Sequence, residues 1–323
     1  MIKTALARSF GSVALATLTL TLFGLHAGTA EAQKPDTVRI GYQKSSTLLT
    51  ILKSKGTLEK GLAPLGVKVE WSEFTSGLPL LEALNVGAID VSADVADTVP
   101  LFAQAAGANL TYIAQEAPSP TAQAVVVKAD SDVKTVADLK GRKIAFTKAA
   151  GVHYLLIATL EKAGLSFKDI TPAYLSPADG RAAFETGGVD AWVTWDPFLA
   201  AVQAQAPVRV LADGKDIAQY QRYYLASTPF AEARGDVIKF IFDELRKTGE
   251  WVKANPAEAA KQLAPAWKLD PAIVEEANSR RSYAVREITN ERLSEQQSIA
   301  DAFYSAGLLP KKIDTSEVNI WAP

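Results

Sequence analysis

From residue 37 onward, short runs rich in β-branched residues alternate with longer stretches whose apolar positions recur at helical spacing. Runs at 37–42, 67–71, 89–92 and 110–113 predict strands, and 47–55, 79–86 and 100–106 between them predict helices. The alternation then begins again, with strands at 144–146, 170–174, 191–194 and 208–211 and helices at 152–163, 178–186 and 198–205. This is the βαβ rhythm of open parallel sheets. From residue 236 the pattern is almost wholly helical, at 236–254, 256–264, 271–281 and 291–306. Pro256 and Pro271 fall where a first helical turn accepts proline.

The two βα series echo each other. Leu84-Asn85-Val86-Gly87-Ala88-Ile89-Asp90-Val91 returns one hundred residues later as Phe184-Glu185-Thr186-Gly187-Gly188-Val189-Asp190-Ala191. Ile40-Gly41-Tyr42-Gln43-Lys44 has a counterpart in Ile144-Ala145-Phe146-Thr147-Lys148, offset by 104. Each half then holds one α/β unit of the same plan, and two such lobes face each other across a gap. Open α/β sheets bind ligands at the carboxyl ends of their strands. Gln43, Asp94, Thr147 and the Trp195-Asp196 pair all follow predicted strands.

Composition narrows the chemistry. The 323 residues contain no cysteine, one methionine (Met1) and two histidines, with a formal net charge of −2. Disulfides, thiolate metal sites and cysteine nucleophiles are thereby excluded, and a multi-histidine metal site with them. A near-neutral chain lacks the basic patch that nucleic acid demands. The N-terminus reads as an export signal. Lys3 and Arg8 precede an apolar run at 13–25, and Ala30-Glu31-Ala32 places small residues before a cleavage point near Ala32. The run is too short to span a bilayer. Cleavage there leaves 291 residues of net charge −3, expected to be free in the periplasm.

Two junctions stand out as candidate anion seats. In Lys148-Ala149-Ala150-Gly151-Val152-His153, small residues open a helix, so a ligand can approach unpaired N–H groups, with the Thr147 hydroxyl nearby. An ordinary βα turn reads the same way. Thr75-Ser76-Gly77-Leu78-Pro79 is the equivalent junction of the first half, where Ser76 is also a plausible N-cap. Of Trp192 and Trp195, strand alternation assigns the first to the core and the second, at the strand's end, to a pocket wall. Asp196 either caps the helix after Pro197 or meets a ligand amine. No nucleophile elbow or triad pattern accompanies His153, and carboxylate pairs such as Glu275-Glu276 lie on solvated helix faces. No catalytic chemistry, metal or cofactor is indicated.

Several blocks together resemble the periplasmic substrate-binding proteins of aliphatic sulfonate ABC transporters. They are Arg39–Lys44, Leu81–Asp90, Asp138-Leu139-Lys140-Gly141, Asp190-Ala191-Trp192 through Pro197, and Leu309–Asp314. The resemblance implies an α/β, two-lobed type II periplasmic binding protein fold, each lobe a mixed sheet flanked by helices, with a hinge between. It divides the chain into a signal peptide (1–32), lobe 1 (33–118), lobe 2 (119–222) and a return to lobe 1 (223–323). The crossings are expected near 116–122 and 220–226. It implies no enzyme activity but capture of a sulfonate by a monomeric receptor for an inner-membrane ABC permease. Taurine, nitrate, a thiamine-precursor pyrimidine, or an enzyme on the same fold are the alternatives. Carried over by resemblance, the ligand-binding positions are Gln43, Ser76, Gly77, Asp94, Thr147, Gly151, His153, Trp195 and Asp196. Relatives often have Gly-Ser after the lysine matching Lys148; Ala149-Ala150 here leaves that seat to backbone N–H groups. A sulfonate scavenger made when sulfur is scarce would gain from a mature chain containing none.

Overall fold

The computed structural model describes residues 36–323, so the export signal expected at 1–32 lies outside the described residues. The first series runs β1 (Thr37–Gln43), α1 (Thr47–Lys55), α2 (Thr57–Leu62), β2 (Lys68–Phe74), α3 (Gly77–Asn85), β3 (Val91–Ala96), α4 (Thr98–Ala105) and β4 (Leu110–Glu116). The second runs β5 (Gln123–Lys128), β6 (Lys143–Phe146), α5 (Gly151–Lys162), β7 (Thr171–Tyr174), α6 (Pro177–Glu185), β8 (Ala191–Trp195), α7 (Phe198–Gln205) and β9 (Val208–Asp213). The chain then forms β10 (Arg222–Ser227), α8 (Thr228–Ala233), α9 (Gly235–Ala254), α10 (Pro256–Trp267), α11 (Pro271–Ser279), β11 (Val285–Arg286), α12 (Ser294–Ser305) and β12 (Asn319–Ile320).

The two longer strands that the pattern does not announce are β5 and β10. Both are buried along almost their whole length, so neither shows the alternation that marks a half-buried strand. Their place in the sheets explains why. One sheet has the order β2-β1-β3-β10-β4-β11, with β12 also on β4, and the other the order β7-β6-β8-β5-β9. In the first, β1 is parallel to β2 and β3 while β10 runs antiparallel to β3 and β4. In the second, β6 is parallel to β7 and β8 while β5 runs antiparallel to β8 and β9. Apart from the two-residue edge strand β11, antiparallel to β4, each sheet is thus a parallel βαβ core with one antiparallel strand inserted, and that strand is the one that enters from the other lobe.

The internal repeat has a structural counterpart at hydrogen-bond resolution. Asp90 Oδ2 accepts the Arg39 N–H and Asp190 Oδ2 accepts the Lys143 N–H, both at 2.8 Å. The N–H groups of the same two aspartates donate back to the Arg39 and Lys143 carbonyls, again at 2.8 Å. Each aspartate therefore registers a helix–turn–strand unit against the strand preceding it in the sheet.

Residues 117–122 and 214–221 cross between the sheets. The second crossing ends where β10 begins at Arg222, so it overlaps the 220–226 that the resemblance implies only at residues 220–221. The crossings are tied to one another by Ser119 N–H to Gln219 O (3.0 Å) and Gly214 N–H to Pro120 O (3.1 Å). A Cβ on Gly214 would lie 2.4 Å from the Pro120 oxygen, so only glycine allows this approach. The C-terminal helices return to the first lobe: α9 buries Val237, Ile238, Ile241, Phe242 and Leu245 on one face and packs on α1 and α2. Two of them also reach the second lobe, α11 packing on α7, and α12 on both α4 and α5.

Candidate functional site

The strand ends and helix starts of both lobes converge on one small cavity of about 10 Å³, lined by Gln43, Gly77, Ala96, Val99, Ala150, Gly151, Trp195, Tyr220 and Arg222. That volume is about what one water needs, so the two lobes are closed on each other here. From the first lobe come Gln43 at the end of β1 and Gly77 at the start of α3. From the second come Gly151 at the start of α5 and Trp195 at the end of β8. The first-turn N–H groups of a helix have no intrahelical acceptor and carry the positive end of its dipole. Two such helix starts, one per lobe, meet here.

Close packing fixes residue choice at the seat. A Cβ on Gly151 would lie 2.6 Å from the Tyr220 ring and 3.0 Å from Ala96 Cβ. Tyr220 itself holds a left-handed backbone (φ 55°) within the second crossing, a conformation uncommon for any side chain but glycine. Its hydroxyl accepts from Arg222 Nη1 at 2.8 Å. Gln43 Nε2 donates to the Asp94 carbonyl at 2.9 Å. Ser76 is the residue before α3, buried, with its side chain making no capping hydrogen bond.

Behind the seat lies a closed ionic network. Arg222, Arg281, Asp94 and Glu116 are all buried. Arg222 Nε lies 2.6 Å from Asp94 Oδ2, near enough for a strong ion pair though off the N–H line, and Arg222 Nη2 donates to the Asp94 carbonyl at 3.0 Å. Arg281 Nη2 bridges Asp94 Oδ2 (3.2 Å) and Glu116 Oε2 (2.5 Å). The Tyr224 hydroxyl donates to Glu116 Oε1 at 2.7 Å. Two carboxylates and two guanidiniums cancel, so the network presents Arg222 to the cavity without a net charge.

Five of the nine residues carried over from the resemblance, Ser76, Asp94, Thr147, His153 and Asp196, stand elsewhere than in the cavity wall. Asp94 lies outside the cavity wall, with its Oδ2 held by Arg222 and Arg281 and its Oδ1 buried without a hydrogen-bond partner. Thr147 Oγ1 donates to the Leu175 carbonyl at 2.9 Å and has no proton left for a ligand. His153 is fully buried among Phe146, Phe167, Tyr174 and Phe303. Burial, with Lys148 adding a little, pushes its imidazole down to about 3, so it is neutral. Asp196 caps α7 by accepting the Ala200 N–H (3.0 Å), and both its oxygens receive Arg280 Nη1 (3.0 and 3.2 Å) from the far side of the cleft. Gln43, Gly77, Gly151 and Trp195 line the cavity together. Trp192 is buried against Phe184, as alternation along β8 requires.

Sequence reasoning missed Tyr220, Arg222 and Arg280. The first two sit at the second crossing, where no periodic pattern exists; a buried arginine beside an aromatic at an expected hinge was the available signal. Arg280 also donates to Gln203 Oε1 (2.7 Å) of α7 and to Glu276 Oε1 (2.8 Å) of its own helix, so it joins the lobes at the rim. Asp97, preceding α4, grips the second crossing: its N–H donates to Gln221 O and its Oδ2 accepts the Gln221 N–H, both at 3.0 Å. Glu295 of α12 accepts the Gln219 N–H at 3.2 Å from the other side. Burial and then the Glu295 charge push Asp97 up to about 7. Among the described residues no group of three or more His, Asp or Glu side chains could hold a metal ion, and no helix is long and apolar enough to cross a membrane.

Residues 63–259 match the NMT1/THI5-like family. The chain is 42% identical to an aliphatic sulfonates-binding protein of Escherichia coli K12, over 91% of both chains. The crystal structure of the Escherichia coli periplasmic aliphatic sulphonate binding protein superposes with a TM-score of 0.81 at 42% identity, covering 90% of this chain and 93% of that one. The alkanesulfonate-binding protein of Xanthomonas axonopodis pv. citri, solved bound to MOPS, superposes with a TM-score of 0.85 at 40% identity, covering 90% of this chain and 99% of that one. The Escherichia coli taurine-binding periplasmic protein is more distant, 24% identical over 70% of this chain and 69% of its own.

Proposed function

The chain belongs to the NMT1/THI5-like family and, within it, to the aliphatic sulfonate-binding proteins, and from that premise we propose how it holds its ligand. It is a substrate-binding protein of an ABC import system, not an enzyme. The sulfonate oxygens take the N–H groups that open α3 and α5, with the Gln43 amide and the Arg222 guanidinium beside them. The observation that carries this reading is the convergence of two glycine-started helices from opposite lobes, with one arginine, on a single closed cavity. A sulfonate is a strong acid and stays a monoanion, so helix N-termini and one already-paired guanidinium suffice to balance it. A dianion such as sulfate would leave a second charge desolvated without a partner.

The walls next to the seat favour an alkyl tail. Trp195, Val99 and Ala96 are apolar, and the two nearby carboxylates are both engaged, Asp94 with Arg222 and Arg281 and Asp196 with Arg280. The ammonium of taurine would find no free carboxylate there, which sets an alkanesulfonate above taurine. Binding proceeds by parting of the lobes about 117–122 and 214–221, entry of the sulfonate and closure. A cleaved signal ending near Ala32, a periplasmic location and a monomeric state complete the proposal, and N-terminal sequencing and light scattering of the exported protein test them. Calorimetric titration with hexanesulfonate, taurine, nitrate and sulfate tests the ligand. Binding is expected for the alkanesulfonate at least tenfold tighter than for the other three. Equal or tighter binding of taurine would refute the tail argument, and no heat with any sulfonate would refute the whole reading.

A further inference from the structure

The one histidine among the described residues is not where a ligand contact would be, yet its surroundings are specific. His153 lies in the first turn of α5, two residues after Gly151, fully buried and walled by the rings of Phe146, Phe167, Tyr174 and Phe303. Its Nδ1 accepts the backbone N–H of Ala149 at 3.3 Å. Ala149 holds a left-handed backbone at φ 59° and is itself fully buried. An alanine in that conformation is strained by about 1 kcal/mol or more, so something must hold it there. The only side-chain hydrogen bond to its backbone, among the described residues, is the one from His153. Since Nδ1 accepts, the ring proton sits on Nε2, which has no hydrogen-bonding partner and faces aromatic rings.

We propose that His153 is a positioning residue for ligand binding: as the Nε2-protonated neutral imidazole it holds left-handed Ala149 through Nδ1 and so aims the Gly151 and Val152 N–H groups into the cleft, the Ala150 N–H being taken by the Thr147 carbonyl within the turn (3.4 Å). The turn Thr147–Gly151 brings the chain from β6 to α5, and a change at Ala149 rotates the peptide planes that follow it. The seat therefore depends on an acceptor that never touches the ligand. A glycine in place of Ala149 adopts the left-handed conformation without strain and would not need holding. The charged and titratable groups around the ring are Lys148 in the same turn and Tyr174 on β7; Phe146, Phe167 and Phe303 are neutral at every pH. This inference rests on the assignment of α5 to the anion seat.

The test is a set of calorimetric titrations with hexanesulfonate on the full mature chain, with melting temperatures taken in parallel. His153→Leu removes the acceptor and is expected to weaken binding about tenfold, the loss of one hydrogen bond at its stronger end. His153→Asn, whose Oδ1 stands in for Nδ1, is expected to stay within about threefold of wild type. The double variant Ala149→Gly, His153→Leu is expected to regain most of the loss, a rescue that a purely packing role would not give. Wild-type affinity in His153→Leu, or no recovery in the double variant, overturns the proposal. If His153→Leu does not fold, nitrogen-15 NMR of the wild-type imidazole decides, because a proton on Nδ1 would exclude the accepted bond. Failure of wild type to bind any sulfonate would refute the ligand reading instead, and the NMR result would still judge the hydrogen bond.

Discussion

Replacing Arg280 by alanine removes the contact that joins the two lobes at the rim of the cleft without touching any residue of the cavity wall. In the closed form Arg280 gives Nη1 to both oxygens of Asp196 (3.0 and 3.2 Å) and Nη2 to Gln203 Oε1 (2.7 Å). Once the lobes part, all three partners face water, so each interaction counts toward closure and hence toward affinity. Gln203 is exposed, and its bond is worth about 1 kcal/mol. The ion pair depends on pH. Burial pushes the Asp196 carboxyl up to about 7 in the closed form, against the pull of Arg280, the Ala200 N–H and Arg281. In the open form it returns to about 4. Closure therefore takes up a proton between pH 4 and 7, and affinity falls as pH rises through that window. In wild type the fall ends near pH 7, where Arg280 makes the ionised aspartate tolerable. Without Arg280 the closed-form value rises further and affinity continues to fall.

The magnitudes follow. At pH 6 Asp196 is mostly protonated in the closed form of both proteins, and Arg280→Ala loses only the Gln203 bond, about fivefold in Kd. At pH 8, one unit above the Asp196 value, the ionised pair adds about 1.4 kcal/mol, and the loss becomes about fiftyfold. Isothermal titration with hexanesulfonate at pH 6, 7 and 8 measures both numbers, and small-angle scattering of the liganded variant reports whether it still closes. A ratio of the two dissociation constants that stays constant from pH 6 to 8 would refute the argument, as would wild-type affinity in the variant at pH 8.

Three further outcomes are expected. Gly151→Val places a Cβ 2.6 Å from the Tyr220 ring and 3.0 Å from Ala96 of the opposite lobe. Overpacking of about 1–3 kcal/mol should raise Kd roughly ten- to a hundredfold, checked by calorimetry. Arg222→Met strips Asp94 of one of its two guanidinium partners within the buried network, which costs about 3–5 kcal/mol and should lower the melting temperature by about 10 °C. Unchanged melting would contradict the network. Asp97, raised to about 7 in the fold and near 4 when unfolded, loses its contribution to stability as pH rises through 7. Thermal melts of Asp97→Asn from pH 5 to 8 should accordingly fall less steeply than those of wild type.

What could be read from the sequence, and what could not, divides along a physical line. Gln43, Gly77, Gly151 and Trp195 sit at strand ends or helix starts, positions fixed by local hydrophobic period, and the repeat of one plan told which ends face one another. Asp196 caps α7, one of the two roles its place before Pro197 allows, but the ion pairs of Asp94 and Asp196 have no local signature. The arginines that claim them are 128, 187 and 84 residues away in sequence, a pairing no local pattern records. The same holds for His153, whose helix was legible but whose burial depends on Phe303 arriving from α12. Two equivalent βαβ cores by themselves would give only a pair of opposed helix N-termini, a seat for an anion with no preference among anions. Apart from the apolar wall of Trp195, Val99 and Ala96, the features that would make it selective come from where the repeat breaks. The second crossing supplies Tyr220 and, through β10, Arg222, while the non-repeated helices supply Arg281 to neutralise the network and Arg280 to draw the rim shut. On the proposed binding mode, the repeated part of the chain sets where an anion binds, and the unrepeated part sets the charge it must carry and the grip with which it is held.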